Sequence, residues 1–98
     1  MSLVDVEIIR VSGSRENQRM NRAGLTNEIH RAIGAVVCDT VNLRDGRVML
    51  VDDLGYQKEL PLNPKATLLY HSVCRPGTTH YIRGDVAVTL DHHFAYED

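Results

Sequence analysis

Asn63-Pro64-Lys65-Ala66-Thr67-Leu68-Leu69-Tyr70-His71 is the stretch on which the reading of the fold turns. An asparagine side chain can accept a hydrogen bond from the free amides of a helix start, and proline at the first helical position gives up an amide proton that has no partner there anyway. Ala66, Leu69, Tyr70 and Val73 then recur at i, i+3, i+4 and i+7, a single apolar stripe. The pattern predicts a helix over residues 64–71, stopped by Arg75-Pro76-Gly77.

On the C-terminal side, residues 82–90 carry the alternating Val86, Val88 and Leu90 of a strand, and residues 91–98 read as an acidic tail. On the N-terminal side, residues 36–43 and 47–52 are two β-rich runs around Arg44-Asp45-Gly46, and Asp-Gly favours the tight turn whose twist matches a hairpin. Asp52-Asp53-Leu54-Gly55 is a second turn, after which residues 56–60 are expected to add a short strand. Earlier still, Leu25, Ile29, Ala32 and Ile33 fall on one helical face that Gly34 ends, and residues 4–11 form a first strand. Residues 12–24 have no apolar period and are expected to be a flexible loop. The resulting order is β-α-β-β-α-β: an α+β domain with a small antiparallel or mixed sheet of 3–5 strands and two helices. Right-handed crossovers favour a split β-α-β arrangement with both helices on one face.

Ninety-eight residues leave room for a single core, and 43% hydrophobic with 24% charged residues is the balance of a folded domain. A formal charge of −2 lacks the surplus of cations that drives general binding to nucleic acid, which is therefore a disfavoured partner. Two cysteines and no long apolar run point to a cytoplasmic, disulfide-free protein with no membrane contact.

The segments from residue 28 to residue 88 resemble the family catalogued as domain of unknown function 3846, small proteins carried by phages, plasmids and other mobile elements. The likeness rests on Ile33-Gly34-Ala35, Asp52-Asp53-Leu54-Gly55, Leu60-Pro61-Leu62-Asn63, Ala66-Thr67-Leu68-Leu69-Tyr70 and Gly84-Asp85-Val86, in that order and at that spacing. It implies a fold and a genomic setting, that of the host-cell cytoplasm for a phage-encoded protein, but no activity, because fold does not select function.

Candidate chemistry is sparse. His71, Cys74 and His80 spell H-x2-C-x5-H, too few ligands for structural zinc and without the usual Cys-x2-Cys knuckle, so no metal or other cofactor is expected. The same residues offer a thiol and an imidazole, the elements of a small thiol/His-dependent hydrolase, yet no orienting carboxylate or nucleophile elbow accompanies them and no catalytic residue is assigned. Asp52 and Asp53 lack the alternating oxygens of a calcium loop. Arg83-Gly84-Asp85 leads straight into a strand and is read as chance. Asn63 and Thr67 are assigned to a helix cap and an exposed helical turn.

The strongest signal is arginine. Arg10, Arg15, Arg19, Arg22 and Arg31 face only Glu16 and Glu28 across residues 10–31. Arg15, Arg19 and Arg22, in the expected loop, are the candidate ligand- or partner-binding residues, since a guanidinium fork matches phosphate and carboxylate. The function expected is a non-enzymatic accessory binding module of a mobile element, for a protein or a small anionic ligand such as a nucleotide. The alternatives are the hydrolase and a weak nucleic-acid-binding or anti-restriction-type protein. An exposed sheet edge makes a homodimer the expected assembly.

Overall fold

Alternation along the strands determines how the layers form. The computed structural model describes residues 2–95. It contains strands β1 (Leu3–Ile9) and β2 (Arg15–Asn21), helix α1 (Leu25–Ile33), strands β3 (Cys38–Asn42) and β4 (Arg47–Asp52), helix α2 (Pro64–Ser72), strand β5 (Val86–Leu90) and a 3₁₀ turn, Asp91–Phe94. The five strands make one sheet in the order β2-β1-β5-β4-β3, with every neighbouring pair antiparallel. Two hairpins thus flank β5, which slots between them. The fold is a small α+β domain with five strands and two helices.

Val4, Val6, Ile8, Val48, Leu50 and Ala87 point to one side, where they pack with Met20 under Leu25, Ile29 and Ile33 of α1. The next residues along the same strands, Ile9, Met49, Val51, Val86 and Val88, point to the other side and meet Ala66, Leu69 and Tyr70 of α2 together with Ile82. The helices therefore cover opposite faces, which corrects the expectation that both lie on one. The reason is in β4 and β5, whose residues are buried almost without a break and so need cover on both sides.

Residues 12–24 correct a second expectation. Residues 12–14 form a tight turn in which Gly13, at φ +95°, donates its amide to the Arg10 carbonyl, and Arg10 donates to Ser14. Residues 15–21 become β2, paired with β1 from Ile9↔Arg15 to Leu3↔Asn21, and residues 22–24 turn the chain into α1. Only Met20 of that strand is buried. An edge strand whose outer face meets water shows no apolar alternation, and its ladder is supplied by β1 rather than by the core.

Residues 56–60 do not form a strand either. They are a run of turns in which Lys58, Glu59 and Leu60 donate to Leu54, Tyr56 and Gly55. Asp52 anchors the run: its buried carboxylate accepts the Leu54 amide at 2.9 Å and the Lys58 ammonium. Turn chemistry thus accounts for this aspartate, as the sequence suggested. Asp45 and Gly46, both at positive φ, close the β3–β4 hairpin in the same spirit.

Asn63 caps α2 as its position predicted, accepting the Ala66 amide at 3.1 Å. It is also fully buried and donates its side-chain amide to the Ile9 and Gly84 carbonyls, each at 3.0 Å. Thr67 is buried rather than exposed, and its hydroxyl accepts the Ile82 amide at 3.0 Å. Of the expected acidic tail, residues 91–94 form the 3₁₀ turn, with Phe94 packed against the α1 cluster, and residues 96–98 lie outside the described residues. No helix among the described residues is long and apolar enough to cross a membrane.

Candidate functional site

Arginine is the residue type that the sequence singles out. In β2 the arginines face carboxylates of β1 across the ladder. Arg15 forks onto Glu7, with Nε and Nη2 at 3.2 and 2.9 Å from its two oxygens, and Arg19 lies 3.5 Å from Asp5. The Glu7 hydrogen bond raises the Arg15 pKa above its ordinary value. Arg22 turns away to the 3₁₀ turn, donating to the carbonyls of His92 and His93. Arg10, outside the strand, grips Glu16, the Ala32 carbonyl and Asp85; hydrogen bonds to Glu16 first and Asp85 second raise its pKa. Asp85 in turn accepts the Val11 amide, so this part of Arg83-Gly84-Asp85 is a structural clamp. The structure brings Arg15 and Arg19 to one face of β2 but does not gather Arg15, Arg19 and Arg22 around a common point.

His71, Cys74 and His80 lie at the end of α2 and in the following loop. The His71 Nε2 is 2.7 Å from the His80 carbonyl, so that ring is committed to backbone. Cys74 lies beside Tyr70, and the influence of its thiol, ahead of burial, raises the Tyr70 pKa above its ordinary value. The other thiol, Cys38, packs under α1, where burial first and the charges of Asp52 and Asp53 next push its pKa up to about 11. It therefore holds almost no thiolate near neutral pH. Among the described residues no three His, Cys, Asp or Glu side chains converge to hold a metal ion.

A concave site forms elsewhere, on the α2 side of the sheet. The turns that follow Asp52 and the segment around Ile82, which meet where Arg83 packs on Gly55 and Tyr56, enclose with Asp39 and Val51 a cleft of about 560 Å³. Tyr56 and Tyr81 line it and are 78% and 55% exposed, unusual for rings this large, and Gln57 and His80 add polar groups. The Arg83 guanidinium stacks 5.6 Å from the Tyr56 ring centroid and donates to the Leu60 carbonyl at 3.0 Å, which makes it a fixed wall. Asp39 and Asp53 supply carboxylates that take part in no ion pair among the described residues, whereas Asp52 is neutralised by Lys58. The cleft therefore carries negative charge beside two aromatic faces. Sequence reasoning passed over it because its residues come from β3, from a turn read as a strand, and from a loop after α2. The available signal was the pair of tyrosines in polar, turn-rich surroundings.

No family model, no curated protein and no solved structure matches this chain.

Proposed function

We propose that the protein is a non-enzymatic accessory binding module, and that its cleft takes a basic segment of a protein partner. The observation that carries the reading is the juxtaposition of exposed Tyr56 and Tyr81 with the unpaired carboxylates of Asp39 and Asp53. A lysine or arginine can lay its aliphatic stem along a tyrosine, present its cation to the ring face and reach a carboxylate with its head. A nucleotide or other small anion would set its phosphate against Asp39 and Asp53 with one cation, Arg83, already engaged, so the protein partner is the better fit. The role in a mobile element rests on the family resemblance alone.

The non-catalytic reading draws support from the thiols and imidazoles. A thiol hydrolase needs a thiolate within reach of an imidazole. Here Cys38 is held protonated, Cys74 lies beside Tyr70, and His71 is turned to a backbone carbonyl. Nucleic acid is disfavoured by the pairing of Arg15 and Arg19 with Glu7 and Asp5, which leaves little free cation on that face.

The test is a titration of the isotope-labelled protein with tetralysine and, separately, with adenosine monophosphate, followed by backbone amide shifts. Tetralysine is expected to move residues 39, 53–57 and 79–83, with an affinity that falls several-fold as salt rises to screen the exposed carboxylates. The double variant Asp39→Asn/Asp53→Asn is expected to abolish those shifts while leaving the spectrum of the rest intact. Shifts of the cleft with the nucleotide and none with tetralysine would replace the basic partner by an anionic ligand.

A further inference from the structure

Among the described residues the sheet ends in two edge strands, β2 and β3, and the direction of their backbone groups can be read from the ladder. Leu43 donates to Arg47, and Asp53 donates to Val37, so residues 37, 39, 41 and 43 turn their amides and carbonyls toward β4. Cys38, Thr40 and Asn42 therefore turn theirs outward. On the opposite edge, Arg22 donates to Ser2 and Arg10 to Ser14, so the even residues of β2 bond to β1 and Arg15, Asn17, Arg19 and Asn21 face out.

These edges differ in what self-pairing would bring together. A two-fold pairing of β2 about Asn17 sets Arg15 opposite Arg19 of the second copy, and one about Arg19 sets two arginines face to face. Asn21 has its outward amide taken by Glu28. Opposed guanidinium groups, each already committed to a β1 carboxylate, would crowd one another there, so that edge makes the poorer pair. On β3, a two-fold axis at Thr40 sets Cys38 opposite Asn42, Asp39 opposite Val41 and, just beyond, the exposed Val37 opposite Leu43. No like charges stand directly opposite, the two Asp39 residues being only diagonal neighbours, and all three outward residues find partners. An axis shifted to Asp39 would oppose two aspartates, so the Thr40 register is the one selected.

We infer that β3 is a self-pairing edge: two copies join antiparallel through Cys38–Asn42 about a two-fold axis at Thr40, fusing their sheets into one. The pairing exchanges the hydrogen bond that Thr40 now donates to its own Asp39 carboxylate for one to the second copy. It also keeps the α2 face of each copy on the same side, so that Val41 of the second copy borders Asp39, a wall of the cleft. The inference stands on the register and charge of the edges and is independent of what the cleft binds. A five-residue ladder with a short apolar row is a small interface, so the dimer is concentration-dependent rather than obligate.

Sedimentation across a concentration series tests it. The parent is expected to approach dimer mass at high micromolar concentration. Thr40→Arg, which gives β3 the guanidinium crowding that β2 already has, is expected to stay a monomer with an unchanged circular dichroism spectrum, and Asn17→Arg on β2 is expected to leave dimerisation as it was. Because paired antiparallel residues lie about 5.5 Å apart at Cα, within disulfide reach, Thr40→Cys in a Cys38→Ser/Cys74→Ser background should cross-link under mild oxidation while Asn17→Cys does not. A parent that remains monomeric throughout, or a Thr40→Cys protein that fails to cross-link, overturns the inference.

Discussion

Helices α1 and α2 are each nine residues long, and they are fastened to opposite faces of the sheet by opposite means. α1 starts at Gly24 with no side-chain cap and holds on through Leu25, Ile29 and Ile33, three apolar residues driven into an aliphatic layer. α2 buries only Ala66 and Thr67 and leaves Leu68 70% exposed. Its attachment is polar: Asn63 joins the helix start to β1 and to the residue before Asp85, and Thr67 joins its first turn to Ile82. Apolar fastening is spread over many contacts and loses them in proportion to the atoms removed. Polar fastening is nearly neutral while every partner is satisfied and fails abruptly when one is removed, because buried donors and acceptors are then left unpaired.

The sharpest way to break this comparison is at its smallest side chains. Asn63→Ala orphans the Ala66 amide and the Gly84 carbonyl and takes a second donor from the Ile9 carbonyl, which keeps its ladder partner Val86; at about 1–3 kcal/mol for each buried orphan, a total of about 4 kcal/mol is expected. Ile29→Ala removes the same three heavy atoms' worth of side chain from the α1 layer, all of it apolar, and is expected to cost about 3 kcal/mol, within the usual range for a buried aliphatic truncation. Urea unfolding of the two variants checks the order; if Ile29→Ala proves clearly the worse, the two helices are held alike.

Thr67→Val sharpens the same point at constant volume. It removes the acceptor of the Ile82 amide and the longer bond, 3.4 Å, that the hydroxyl donates to the Ile82 carbonyl, and a loss of about 1–2 kcal/mol is expected, where a purely apolar attachment of α2 would predict a neutral or stabilising change. Thermal unfolding of the single variant decides.

The smallest effect belongs to the α1 face and appears with pH. His93 bonds with the Thr89 hydroxyl at 2.8 Å, and burial first, then the neighbouring His92 and Arg22, lower its pKa below the ordinary 6.5. A lowered pKa means that the unfolded chain takes up the proton first, so this contribution to stability is present above pH 6.5 and is lost as pH falls below it. Between pH 7.5 and 5.5 the parent is expected to lose slightly more in melting temperature than His93→Gln, and equal losses would show that the ring is not held against protonation.

The features legible in the residues were those that neighbours in the chain create. Asn63 and Pro64 start α2 through bonds made within four positions, Asp45-Gly46 turns a hairpin by its own backbone preference, and the stripe of Leu25, Ile29 and Ile33 needs only the helical period to be seen. What the residues left open were features whose partners lie far away in sequence. Met20 is the one buried residue of β2, so nothing in its own pattern distinguishes that strand from a loop; its ladder comes from β1, and its arginines are answered by Glu7 and Asp5. The cleft is of the same kind, since its walls are brought together only when α2 lies across the sheet opposite α1. Local hydrogen bonds and side-chain period belong to the sequence by itself, whereas the pairing of strands, the choice of face and the neutralisation of charge are decided only when distant segments meet, because each depends on a partner that no local pattern names.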